Sequence, residues 1–150
     1  MRVKLICATS LDGYIAKHSI EKIKWTKDLP LFKKQTMDKC VIMGSNTYKT
    51  LEKPLKGRNL IVASRVDSPE KIIRKLEKTE NECFIAGGGI TNSRFIKYIT
   101  HLYITPHPIL LGGGIKLFEK DTLKSKTVLK NKIKVSGTDG IFQYQYKIVK

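Results

Sequence analysis

Three stretches of this sequence combine residue types that could bind a ligand and act on it. The first is Trp25-Thr26-Lys27-Asp28-Leu29-Pro30-Leu31-Phe32-Lys33-Lys34-Gln35-Thr36, where Asp28, Leu31 or Phe32, and Gln35 recur at helical spacing and set a carboxylate beside an apolar face. Such a carboxylate can line a pocket. It is equally a favoured helix N-cap, and Pro30 suits a first helical turn, so spacing leaves both roles open. The second is Gly87-Gly88-Gly89, between the apolar run Cys83-Phe84-Ile85-Ala86 and a helix expected from near Thr91. Bare backbone amides at a helix N-terminus can approach a pyrophosphate; a tight strand-to-helix turn would use the same glycines, and the G-x-G-x-x-G spacing is missing. The third begins at Met43-Gly44-Ser45-Asn46-Thr47-Tyr48, continues through Pro54-Leu55-Lys56-Gly57-Arg58 and ends at Ala63-Ser64-Arg65. Its last residues offer a hydroxyl and a guanidinium to a phosphate ester, although Arg65 also reads as a solvated strand end.

These segments need a scaffold that brings them together. Apolar runs at Val3 to Ala8, Cys40 to Met43, Asn59 to Ala63, Cys83 to Ala86 and Leu102 to Thr105 read as strands, with helices expected at Leu29 to Thr36, Asn46 to Leu51, Pro69 to Lys78 and Thr91 to Tyr98. The alternation predicts an α/β fold with a mostly parallel central sheet flanked by helices. Two glycine turns would then open at the same carboxyl edge, where open α/β sheets bind ligands, and one extended anionic cofactor could span them. Thr127 to Ser136 and Ile141 to Val149, joined by Gly137-Thr138-Asp139-Gly140, predict a C-terminal antiparallel hairpin. With no repeat, low-complexity stretch or linker, residues 1–150 are expected to form one domain.

Composition narrows the function classes. The 29 basic and 13 acidic residues give a net charge of +16, a field that attracts nucleic acid, acidic surfaces or polyanionic small molecules. The lysines are scattered, with no basic tail or aromatic-interleaved stripe, so a bias towards Lys and Ile is preferred over nucleic-acid binding. No apolar run approaches the roughly 20 residues of a membrane helix and no leader is evident, so no membrane partner and a cytoplasmic location are expected. Cys7, Cys40 and Cys83 lie far apart in apolar runs and read as reduced buried thiols, while His18, His101 and His107 lack metal-ligand spacing and read as ordinary surface or strand histidines.

The linked motifs resemble those of dihydrofolate reductases. The resemblance runs through Asp28-Leu29, Phe32-Lys33, Thr36, Val41-Ile42-Met43-Gly44, Thr47-Tyr48, Pro54-Leu55, Gly57-Arg58, Ile61 to Arg65, Phe84 to Gly89 and Leu102 to Thr105, covering most of residues 1–105 and weakening after Phe118. It implies the dihydrofolate reductase-like fold and NADPH-dependent reduction of 7,8-dihydrofolate. It also implies that Asp28 pairs with the pterin edge, with Thr105 in the same hydrogen-bond network. Arg58 would clamp the folate tail carboxylate, and Ile6, Ala8, Leu29, Phe32, Leu51 and Leu55 would wall the rings. Ala8, Ile15, Gly44, Ser45, Thr47, Ser64, Arg65, Gly87, Gly88, Gly89, Ile90, Thr91 and Asn92 fall where the family holds NADPH, and residues 11–25 look like its active-site lid.

Two departures qualify this. Ser45 and Ile90 stand where relatives commonly carry basic residues near the cofactor, which leaves NADPH preference on Arg65. Ser10 to Ala16 and Pro108 to Phe118 are more similar to the reductase domain of riboflavin biosynthesis, whose substrate is a ribosylaminopyrimidine phosphate. Either way the expected partner is a small molecule, and the resemblance accommodates a monomer or a homodimer.

Overall fold

The alternating residues at the start of the chain become strand β1, Arg2–Thr9, with Val3 and Leu5 buried on one face and Ile6 on the other, in a computed structural model that describes residues 1–120 and 124–150. There follow β2 (Tyr14–Ala16), α1 (Leu29–Thr36), β3 (Cys40–Gly44), α2 (Ser45–Lys49), β4 (Asn59–Ala63), α3 (Pro69–Glu77), β5 (Glu82–Ile85), α4 (Gly89–Arg94), β6 (His101–Pro106), β7 (Ile115–Lys116), β8 (Lys126–Lys134) and β9 (Phe142–Val149). A seven-stranded sheet has the order β4-β3-β5-β1-β6-β9-β8. Strands β4, β3, β5, β1 and β6 are parallel, and β9 and β8 complete the sheet as the expected antiparallel hairpin.

Burial explains the strand sequences. Every residue of β3 is buried, as a parallel strand covered on both faces requires. On one face Ile73 and Leu76 of α3, with Phe95 and Ile99 beyond α4, pack on Leu5, Ile42 and Ile85. On the other, Phe32 of α1 packs on Ile6, Val41, Met43 and Phe84. Helix α3 starts where Ser68 Oγ accepts the Lys71 N–H and Pro69 takes the first helical position. Gln35 of α1 and Gln143 of β9 exchange amide hydrogen bonds of 2.7 and 2.9 Å, which ties the helix to the hairpin.

Several boundaries differ from the sequence expectation. Helix α2 starts at Ser45 and ends at Lys49, and α4 spans Gly89–Arg94 rather than Thr91 to Tyr98. Past Arg94 the chain continues in tight turns, with the Tyr98 N–H donating to the Phe95 carbonyl. Strands β2 and β7 pair antiparallel as a separate two-stranded sheet; three and two residues are too few for an alternation to register. Among the described residues no helix is long and apolar enough to cross a membrane.

Candidate active site

The carboxyl ends of the parallel strands open into a cavity of about 780 Å³, lined by Ala8 near the end of β1, Gly44 at the end of β3, Ala63 at the end of β4 and Ala86 after β5. The two glycine turns are bonded to one another: the Gly44 N–H donates to the Gly87 carbonyl at 2.9 Å, and the Ala86 N–H donates to the Ile42 carbonyl at 2.8 Å. Gly87 has φ +90°, in the region glycine tolerates best. A Cβ on Gly44 would collide with the Thr91 hydroxyl, so the turn of β3 into α2 can approach α4 only with glycine there.

Asp28 lines this cavity. It immediately precedes α1, but its side chain makes no capping bond, and it is only 8% exposed. Burial raises its carboxyl above the ordinary aspartate range. The Thr105 hydroxyl is fully buried and makes no well-formed hydrogen bond within the protein, and neither does the buried indole N–H of Trp25. Polar groups buried without partners are rare in folded proteins, so this corner is built to receive polar atoms. Cys7 also lines the cavity, where burial and the Asp28 charge push its thiol pKa up. Cys7, Cys40 and Cys83 are all free; Cys40 and Cys83 are buried, whereas Cys7 is only half-buried.

His107 corrects the expectation of an ordinary surface or strand histidine. It is 1% exposed, its Nε2 accepts the Lys27 N–H at 2.9 Å, its Nδ1 lies 2.9 Å from the Thr105 carbonyl, and Trp25 meets its ring edge-on. With Nε2 accepting and Nδ1 facing a carbonyl, the ring proton belongs on Nδ1. One imidazole thereby joins the chain before Asp28 to the end of β6. The signal available beforehand was period 2, since Thr105 and His107 face the same way if the strand pattern is extended.

Ile6, Ala8, Ile15, Leu29, Phe32, Leu51 and Leu55 line the cavity, as do Gly44, Ser45, Thr47, Arg65, Gly87, Gly88, Gly89, Ile90 and Thr91. Four residues singled out from sequence are off its wall. Thr105 lies beneath Asp28. Arg58 is half-buried, with Nε and Nη1 buried and unpartnered. Ser64 turns to Asp67, whose carboxylate accepts the Ser64 N–H at 2.7 Å. Asn92 is a buried residue of α4 and donates from Nδ2 to the Leu117 carbonyl at 2.8 Å. Arg94, which sequence reasoning missed, lines the cavity and donates from Nη1 to the Ser64 carbonyl at 2.8 Å and from Nη2 to the Asp67 carbonyl; nothing in spacing joins residues 64 and 94.

Residues 11–25 contribute His18, Glu21, Lys22 and Ile23 to one wall. The segment is anchored at its base by Asp12, whose carboxylate accepts the Ser10 hydroxyl (2.6 Å), the Gly112 N–H (2.7 Å) and the Leu111 N–H (3.1 Å). Those bonds lower its pKa to about 2. The two stretches most similar to the riboflavin-type reductase thus form one substructure, continued by β2 and β7.

Residues 2–108 match the family described as dihydrofolate reductase. A dihydrofolate reductase of Buchnera aphidicola subsp. Baizongia pistaciae is 30% identical over 164 aligned positions, covering 100% of this chain and 98% of the relative. The solved structure of Enterococcus faecalis dihydrofolate reductase complexed with NADP(H) and RAB-propyl superposes with a TM-score of 0.77 at 20% identity, covering 99% of this chain and 97% of the other. A putative riboflavin biosynthesis protein from Shewanella sp. PV-4 superposes with a TM-score of 0.65 at 25% identity, covering 100% of each chain. The family match across residues 2–108, with a full-length relative of the same kind, places this chain in the dihydrofolate reductase family.

Proposed function

We propose that this chain reduces 7,8-dihydrofolate to tetrahydrofolate with NADPH. The observation that carries the reading is the buried Asp28 carboxylate on the wall of a cavity that Ile6, Leu29, Phe32, Leu51 and Leu55 also line, with the unpartnered Thr105 hydroxyl buried beside it. A flat heterocycle with a donor edge satisfies both polar groups while its rings replace water on the apolar walls. Asp28 binds and orients the pterin edge, and Thr105 completes that network. Arg58 presents two buried, unpartnered guanidinium nitrogens, the group suited to the tail carboxylate.

The cofactor side fits an extended dinucleotide. Gly87 and Gly88 expose bare backbone beside Thr47, whose Oγ1 would lie 3.7 and 3.4 Å from Cβ atoms built on them, and Arg65 is exposed on the rim. Gly44, Ser45, Thr47 and Gly87 to Thr91 would hold the pyrophosphate and ribose region, with Ala8 and Ile15 nearer the nicotinamide. Asn92 and Ser64 support that wall from behind. When bound, the reduced nicotinamide supplies the hydride that reaches pterin C6, while N5 gains a proton. The protein's contribution is to align two rings and exclude water. We also read residues 1–150 as one catalytic unit, a monomer or homodimer acting on small molecules. Three free cysteines fit a reducing cytoplasm.

A second reading, reduction of a ribosylaminopyrimidine phosphate, is favoured by the Asp12-anchored substructure and the 25% identity to the Shewanella protein. NADPH oxidation followed separately with each substrate decides between them: turnover of dihydrofolate alone is expected, and turnover of the pyrimidine phosphate alone would replace the first reading by the second.

A further inference from the structure

The chain leaves β4 through Ser64-Arg65-Val66-Asp67, and this turn is tied at both ends. The Asp67 carboxylate accepts the Ser64 N–H at 2.7 Å, and the Asp67 N–H donates to the Ser64 carbonyl at 3.2 Å. Arg94 then bridges the same two residues from α4, giving Nη1 to the Ser64 carbonyl at 2.8 Å and Nη2 to the Asp67 carbonyl. A planar guanidinium can span two carbonyls in fixed geometry, which an ammonium group cannot. Arg65, at the exposed corner of this turn, and Arg94 are the two arginines on the cavity wall.

Charge sharpens the point. The bonds from Ser64 hold Asp67 ionised, helped by the nearby Arg94 charge, so a carboxylate stands two residues from Arg65. An anion approaching Arg65 meets that carboxylate too, and Arg94 offsets it. Ser45 and Ile90, both on the cavity wall, add no positive charge.

We infer that Arg94 is a positioning residue for the 2′-phosphate of an adenine nucleotide, fixing the 64–67 turn so that Arg65 meets that phosphate and offsetting the charge of Asp67. The inference rests on the reading of this cavity as an NADPH site. It adds a determinant of cofactor choice that lies on a different element from the phosphate-binding turn.

Calorimetric titration with adenosine 2′,5′-bisphosphate and with 5′-AMP isolates the 2′-phosphate without requiring turnover. The wild-type protein should prefer the bisphosphate by about tenfold to hundredfold, the value of one charge-assisted contact. Arg94→Gln should bring the two ligands within about threefold while leaving 5′-AMP binding unchanged, as Arg65→Leu should. Arg94→Lys, which keeps the charge but not the bridge, should fall between. Unfolded protein lowers the number of sites rather than the Kd, so a stability loss is read separately; if Arg94→Gln does not fold, full preference in Arg94→Lys overturns the positioning role. Full preference in Arg94→Gln beside its loss in Arg65→Leu overturns the inference and leaves the cofactor reading intact. Equal binding of both ligands by the wild-type protein overturns the cofactor reading, and the inference with it.

Discussion

Burial raises the Asp28 pKa, so the fold favours the protonated side chain while ligand pairing needs the anion. The folded-state pKa lies above the unfolded value. Stability from this residue is therefore fully present below about pH 4, the ordinary range for aspartate, and is lost as pH rises through the folded pKa. Asp28→Asn should consequently stabilise the protein at neutral pH and flatten that part of its stability curve, as urea unfolding at several pH values would show. The capping bond that such a change could have disturbed is absent. The same variant should lose about 10²- to 10⁴-fold in dihydrofolate turnover; activity within about threefold of wild type, roughly 0.7 kcal/mol, would remove Asp28 from the mechanism. Arg58 supplies a second residue-scale test. Arg58→Leu should weaken dihydrofolate binding by about 1.5–3 kcal/mol, the worth of a charged hydrogen bond, yet leave a tail-less pterin nearly unaffected. Additive losses in that double-mutant cycle would mean that the arginine and the tail do not touch.

At the scale of elements, the β2–β7 pair carries a further expectation. Gly114 has φ +135°, and a Cβ there would strike the Ala16 carbonyl oxygen and come within 3.1 Å of Lys17 Cα, whereas nothing lies within 4 Å of the same position on Gly113. Gly114→Ala should cost about 1–3 kcal/mol of backbone strain and Gly113→Ala little, measured by urea denaturation; equal effects would show that the crossing is not tight. This region also marks where reading the sequence ran out. The main strands were legible because parallel central strands are continuous apolar runs, as Cys40–Gly44 shows, and the last hairpin because two long strands flank a glycine-bounded turn. Of the cavity wall, the two glycine turns were legible from the residues themselves because glycine at a strand end declares a turn, whereas the apolar lining from Ile6 to Leu55 came only through the family resemblance. Arg94 and His107 were not, because their work is done through carbonyls and an amide of residues distant in sequence, and no side-chain pattern reports a backbone partner.

The whole molecule carries +16, yet among the described residues Lys4 is the single buried lysine, 2.7 Å from Glu82 and over the rings of Phe84 and Tyr103. Most of the excess is therefore at the surface, where salt screens it with a Debye length near 10 Å at 0.1 M. Association with NADPH, followed by stopped-flow fluorescence, should slow by about tenfold between low salt and 0.5 M, as steering by a net positive field requires; a salt-independent rate would show that the lysines do not steer. The sheet order has its own outcome during synthesis. Strand β1 is made before both of its sheet neighbours, Glu82–Ile85 and His101–Pro106. At roughly 5–20 residues per second, those partners follow it by about 5–20 s. Throughout that interval Val3, Leu5 and Ile6 have no sheet to enter, while β3 and β4 can already pair across their short connection. A sheet growing during synthesis can therefore start from β3 and β4, while the apolar face of β1 waits for partners made roughly 70 to 100 residues later.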